Sequence, residues 1–297
     1  MRTQMPELGQ SWDTLQARLH QLSAEDADWR ANRLGVFVFD PGPEVLQVAQ
    51  DAYGIFISEN GLGATSAFPS LEQMENDVVS MGLNLLNAPE SACGNMTSGG
   101  TESIFLAVKT CREQARAQGK DTRDAEILMP RSAHLAFDKA AHYLDLKVVR
   151  IPVRSDFLAD ISAIQNAITN RTLMLIGSAP CFPYGMIDPL PELNDLALSN
   201  NIWLHVDASW GGTALLSPKH RSLLAGIELA DSLCWDPHKL MGMPISCSVF
   251  LARKANTLAS VCSHGDEADY LFHEANANVD RGRISLQCGR RVDALKL

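Results

Sequence analysis

The 297-residue chain carries a formal net charge of −10 at neutral pH, which argues against nucleic acid or an anionic membrane as its main partner. Its 46% hydrophobic and 20% charged residues suit an ordinary globular protein long enough to bury a sizeable core. The first residues, MRTQMPELGQSWDTL, hold no apolar run that would serve as a secretory signal, and no run of about 18 apolar residues predicts a membrane span.

In chain order, Leu8, Trp12, Leu15 and Leu19 recur at helical spacing and open an amphipathic N-terminal arm over residues 1–60. FDPGPE is a turn, and Pro43 then starts a second helix through Val45, Val48 and Ala49. GLGATSAFPS reads as a loop and Leu71 to Leu86 as a helix. From about residue 93 the pattern alternates. TSGGTES precedes a helix; AEILMP, KVVRIPV, TLMLIGSAP, NIWLHVDAS, SLCW and CSVFLAR read as strands; AFDKAAHYL, ISAIQNAI and LPELNDLALSN read as helices. Short apolar strands separated by helices predict an α/β domain over residues 61–297, a mostly parallel sheet with helices on both faces. SLQCGRRVDALKL predicts a final helix with Val292, Leu295 and Leu297 on one stripe and no terminator. A natural end has this form, as does a chain cut short inside a longer protein; the cut is the expectation. Seven cysteines stand at wide spacing with no C-x-x-C pair, the pattern of reduced, packed thiols.

Four places could carry chemistry. In CGNMTSGGTES, two glycines precede a helix whose first turn holds Thr101, Glu102 and Ser103; this is a phosphate cradle or a tight turn. WLHVDASWGG ends an apolar strand in Asp207, where ligands of open α/β sheets sit. Its carboxylate could meet a metal, a ribose hydroxyl or a protonated ring nitrogen, or could cap a turn. His205, two residues earlier, reads as a packed histidine. His134 follows another strand without partners at metal-ligand spacing, so it either stacks on a ligand ring or is a helix-capping or surface histidine. In SLCWDPHKLMG, Lys239 is surrounded by Trp235, Pro237, Leu240 and Met241. Desolvation there would lower its pKa and make it a nucleophilic amine; otherwise it is a solvated turn lysine. No metal site is expected.

Together the four match pyridoxal 5'-phosphate, which has a phosphate to anchor, a ring to stack, a pyridine nitrogen needing an anion and an aldehyde needing an amine. Triphosphate, dinucleotide and nucleophile-elbow motifs are absent from the sequence. From about residue 60 to the end, the chain resembles the pyridoxal-phosphate-dependent group II decarboxylase family of fold type I. DPHK, SCSVFLAR, ADYLFHE and QCGRRVDALKL are similar to glutamate and cysteine sulfinate decarboxylases. CGNMTSGGTESIFLAVK, SAHLAFDKAAHYL and GSAPCFPYGMIDP look more like sphingosine phosphate lyase. The resemblance implies the three-layer αβα large domain of that fold. It implies a Schiff base at Lys239, Asp207 on the pyridinium nitrogen and His134 on the ring, with Gly100, Thr101, His238 and Asp236 at the phosphate or around the Schiff base. Asp236 stands where many decarboxylases have Asn; the lyase branch tolerates Asp. Family members continue past VDALKL into a smaller C-terminal domain and a catalytic loop.

The implied activity is decarboxylation of an L-amino acid, a lyase reaction of amino-acid and carboxylic-acid metabolism. The alternatives are retro-aldol cleavage of a phosphorylated amino alcohol and a truncated, non-catalytic fragment. The implied partners are a small amine or amino-acid substrate and a second copy of the chain in a homodimer, in the cytoplasm, with neither nucleic acid nor membrane.

Overall fold

The computed structural model describes residues 4–31, 34–63, 66–254, 257–258 and 281–297. Cys262 and the ADYLFHE segment lie outside the described residues. The chain divides into a small unit ending at Asp40 and a large unit from Pro41 to Leu297. The small unit holds helix α1, Trp12–Leu22, whose N-cap Ser11 accepts from Thr14 N. Leu8 precedes this helix rather than joining it. Trp12, Leu15 and Leu19 are all exposed.

The large unit begins with α2 (Pro43–Ile55) and α3 (Pro69–Leu85), each with proline in its first turn, where the missing N–H costs nothing. It continues β1 (Cys93–Thr97), α4 (Gly100–Ala117), β2 (Glu126–Pro130), α5 (Ala136–Tyr143), β3 (Lys147–Ile151), α6 (Ile161–Ala167) and β4 (Thr172–Ser178). Then follow α7 (Leu190–Asn200), β5 (Trp203–Asp207), β6 (Ser232–Trp235), β7 (Ser248–Ala252) and α8 (Arg281–Ile284). The seven strands form one sheet in the order β1-β7-β6-β5-β4-β2-β3. Five are parallel; β7 runs antiparallel to both β6 and β1. Strand alternation divides the core. Met174 and Ile176 of β4 join the cluster that holds the α4 and α5 side chains, while Leu175 joins the cluster on the other face that holds those of α3 and α7. This is the expected three-layer, mostly parallel architecture.

Two local expectations differ. β1 is a strand within CGNMTSGG, a segment read only as a turn before a helix. The end of the chain is not the expected helix: α8 stops at Ile284, and the next regular element is a single 3₁₀ turn, Asp293–Lys296. The backbone there is held by partners elsewhere. Gly61 N donates to Arg290 O at 2.7 Å, Arg290 N donates to Asn60 Oδ1 at 3.0 Å, and Ser285 Oγ bonds the carbonyls of Arg281 and Gln287. Val292 and Ala294 enter the core, while Leu297 is exposed. Tertiary contacts therefore outweigh the helical periodicity of VDALKL.

Beneath this segment lies a buried ion cluster. Glu75 of α3, with no exposed surface, receives both terminal nitrogens of Arg290 at 2.5 and 2.6 Å and lies 3.4 Å from Arg281 Nε. A carboxylate that deep requires such pairing.

Candidate active site

The parallel strands aim their carboxyl ends at one edge of the sheet, and there the candidate residues gather. The β4–β5–β6 register aligns Ser178, Asp207 and Cys234. Asp207, the last residue of β5, accepts from Ser209 N at 3.0 Å and from the Cys234 thiol at 3.4 Å. One turn past β6, Lys239 Nζ lies 2.9 Å from Asp236 Oδ2. Asp236 is fully buried, and its other oxygen accepts from Ser248 Oγ at 2.5 Å.

Helix α4 starts beside this pair. A Cβ on Gly100 would fall 2.6 Å from Asp236 Oδ2 and 2.9 Å from Ser209 Oγ, so only glycine lets the helix N-terminus approach. The first-turn N–H groups of Gly100 and Thr101 have no hydrogen-bond acceptor among the described residues. The preceding loop is braced by Glu102, which accepts from Ser98 N, Ser98 Oγ and Gln287 Nε2.

His238 presents its ring edge to the same place. Its Nδ1 accepts from Cys247 N at 3.0 Å, so its proton sits on Nε2, 3.7 Å from Asp236 Oδ2. Burial pushes the imidazole pKa below its usual value, and the Asp236 carboxylate only partly offsets this. For Lys239 the balance reverses the expectation of a lowered pKa. Burial does disfavour the ammonium, but Asp236, helped by Asp207, holds the amine above its ordinary pKa. Apolar neighbours foretold the desolvation; the ion pair three residues back outweighs it.

His134 follows β2, two strands from β5 and thus about 10 Å across the sheet, on the face covered by α5. Its Nδ1 caps α5 by accepting from Ala136 N at 3.1 Å, leaving the ring half-buried. Among the described contacts, Lys239, Asp236, His238 and Gly100 form one cluster and Asp207 joins it through Ser209. His134 and the exposed Thr101 share the edge without touching it.

Sequence reasoning missed the hydroxyls behind the cluster. Ser248 gives its proton to Asp236, so Ser103, 2.8 Å away, donates to Ser248, and Thr97, 2.6 Å further, donates to Ser103. Their signal was faint: three small polar residues on apolar elements, each fully buried and therefore in need of partners. His205 is the packed histidine expected. Ser232 Oγ lies 2.8 Å from both His205 Nδ1 and Trp203 Nε1, and Phe137 and Phe250 flank the imidazole. Burial pushes its pKa down to about 4.

These residues fit pyridoxal phosphate. The free first-turn amides of α4 suit a phosphate, a strand-end carboxylate suits a ring nitrogen, and Lys239 offers an amine 2.9 Å from Asp236. Among the described residues no cluster could hold a metal ion.

A family profile described as the pyridoxal-dependent decarboxylase conserved domain matches residues 7–297. The chain is 42% identical over 266 residues to sphingosine-1-phosphate lyase of Oryza sativa, covering 84% of this chain and 48% of that protein. It is 33% identical over 247 residues to cysteine sulfinic acid decarboxylase of Rattus norvegicus, covering 77% and 50%. Among solved structures, sphingosine-1-phosphate lyase of Burkholderia pseudomallei superposes with a TM-score of 0.78 at 32% identity, covering 87% of this chain and 62% of that one. Oryza sativa TDC with PLP and tryptamine reaches a TM-score of 0.87 over 99% of this chain and 65% of that one, at 20% identity, a likeness of fold alone. The chain spans about half the length of the curated relatives it matches.

Proposed function

The chain belongs to the pyridoxal-dependent decarboxylase family, and on that premise we propose that it is the large domain of a lyase that decarboxylates an L-amino acid. The observation carrying this reading is the cluster at the α4 N-terminus, where Asp236 meets both Lys239 Nζ and Gly100. When bound, pyridoxal phosphate supplies an aldehyde for an amine and a ring that draws an electron pair from a bond breaking at the substrate's Cα.

The protein's own work is to bind and orient. Lys239 Nζ is the amine for the aldehyde. The α4 amides of Gly100 and Thr101 hold the phosphate against the helix dipole. Asp207, fixed by Ser209 N and the Cys234 thiol, keeps a proton on the ring nitrogen. His134, its plane set by the α5 cap, stacks on the ring. His238 holds a neutral imidazole beside the amine, with its proton on Nε2.

Decarboxylation is favoured by the family profile and by the DPHK-to-QCGRRVDALKL segment. A second reading, cleavage of Cα–Cβ in a phosphorylated amino alcohol, is favoured by the 32–42% identity to sphingosine-1-phosphate lyases and by Asp236. We further propose a homodimer, because α1 exposes Trp12, Leu15 and Leu19, and a cytoplasmic location, because the described cysteines are all free. Incubation of the protein with the cofactor and with amino acids or phosphorylated amino alcohols tests the assignment. Carbon dioxide release supports the first reading. Aldehyde release without carbon dioxide overturns it in favour of the second.

A further inference from the structure

The cradle at the start of α4 already contains an anion. Asp236 has no exposed surface, and its Oδ2 comes as near to Gly100 as the missing Cβ allows. Among the described residues no hydroxyl or amide donor reaches Oδ2. Its charged neighbour is Lys239 Nζ at 2.9 Å, and the Nε2–H of the neutral His238 lies 3.7 Å away. Two obstacles to cofactor entry follow. A phosphate near neutral pH carries close to two negative charges, and a carboxylate in the same dry site repels it. An ammonium also has no lone pair with which to attack an aldehyde.

One proton transfer removes both. We propose that Asp236 is the resident anion of the phosphate cradle and the proton acceptor for Lys239: when a phosphate-bearing aldehyde enters, the Lys239 proton moves to Asp236 Oδ2. This deepens the function proposed above and rests on it. An Nζ–H bond breaks, its electron pair stays on nitrogen, and an Oδ2–H bond forms. The amine then attacks the carbonyl carbon, and the carbonyl oxygen leaves as water with the two remaining amine hydrogens. Asp236, now neutral, no longer repels the phosphate.

The surroundings single out Asp236 for this role. His238 cannot accept at Nε2, which carries a proton because Nδ1 is engaged by Cys247 N. The thiols of Cys234 and Cys247 are kept protonated by burial. Asp207 acts on Lys239 from β5 but forms neither an ion pair nor a hydrogen bond with it, whereas Asp236 Oδ2 lies 2.9 Å from Nζ. Ser248 and, behind it, Ser103 and Thr97 steady Oδ1, leaving Oδ2 to take the proton.

Asp236→Asn keeps the shape and an oxygen for Ser248 while removing the charge; Asp236→Ser guards against misfolding of the amide variant. Calorimetric titration at pH 8 should show inorganic phosphate binding at least about tenfold tighter to the charge-free variant than to the wild type. Infrared difference spectra of the wild type should gain the carbonyl band of a protonated carboxylic acid when phosphate or pyridoxal phosphate is added, and Asp236→Asn should lack it. Unchanged or weaker phosphate binding in both folded variants overturns the proposal, as does the absence of that band in the wild type. A protein that passes both phosphate tests yet takes up no pyridoxal phosphate retains the Asp236 assignment and loses the cofactor reading.

Discussion

Replacement of Glu75 by Gln changes one atom type in the core and leaves two cations stranded. Arg281 and Arg290 are only 8% and 7% exposed at their side chains, so water cannot take over from the carboxylate. Breaking one partner out of a buried ion group costs about 3–5 kcal/mol, a large share of the roughly 5–15 kcal/mol that stabilises a domain. With a denaturant slope of about 3 kcal/mol per molar for urea, the unfolding midpoint of Glu75→Gln should fall by about 1 M or more. Replacing all three charges together, Glu75→Leu with Arg281→Met and Arg290→Met, should recover most of the loss, because the desolvation penalty vanishes with the charges. A midpoint shift below roughly 0.3 M in Glu75→Gln would refute the reasoning. Failure of the triple variant to recover would mean that shape, not charge, sets the cost.

Borohydride added to the protein with pyridoxal phosphate should fix the cofactor to Lys239, and peptide mapping that finds it elsewhere refutes the amine assignment. Asp207→Asn should fold normally by circular dichroism yet lose turnover by about 100-fold or more, since the ring nitrogen loses the partner that keeps it protonated; near-normal turnover would make the carboxylate structural. Gly100→Ala places a Cβ 2.6 Å from Asp236 Oδ2 and should weaken cofactor uptake at least about tenfold, read by absorbance titration; equal affinity would deny the close approach. His205, shifted from 6.5 to about 4, contributes stability that is full above pH 6.5 and is lost as pH falls toward 4. That difference, 2.5 units, is worth about 3 kcal/mol. Asp188, pushed up to about 6 by burial, runs the opposite way, its contribution being full below 3.8 and lost as pH rises through 6. The comparison is therefore between wild type and His205→Gln, whose stability should fall less between pH 6.5 and 4 in urea titrations; identical pH profiles would contradict the burial argument.

The parallel strands were legible because each is a short apolar run between polar helices. β1 was not, because Gly94 and Asn95 break the apolar pattern. Gly94 is needed where a Cβ would lie 2.6 Å from Leu251 Cδ2, and Asn95 donates to Ile284 O from across the molecule. Neither requirement is visible locally. The final segment misled for the same reason: its helical period is real, but Arg290 is claimed by Glu75, 215 residues earlier. At the candidate site, the strand end of Asp207 followed from chain order, and Lys239 lies one turn past its strand rather than at the strand's end. The charge state of Lys239 did not, because the three-residue spacing to Asp236 says nothing of which way either side chain turns. Ser103 and Ser248, 145 residues apart, could be joined only by the fold.

Ser232 has one hydrogen to give. Trp203 Nε1 can only donate and fills one of its lone pairs, which leaves that hydrogen free to go to His205 Nδ1. In that arrangement the imidazole carries its own hydrogen on Nε2, on the strand face that ends two residues later in Asp207. A second proton on this ring would put two hydrogens between Nδ1 and Oγ and force the serine hydroxyl to swing away into a core of Phe137 and Phe250. The hydroxyl thus favours one tautomer, and burial keeps the ring uncharged. The strand beneath Asp207 is kept electrically silent across the acid range in which an exposed histidine would switch, and the negative charge at its tip stands without a competing cation behind it.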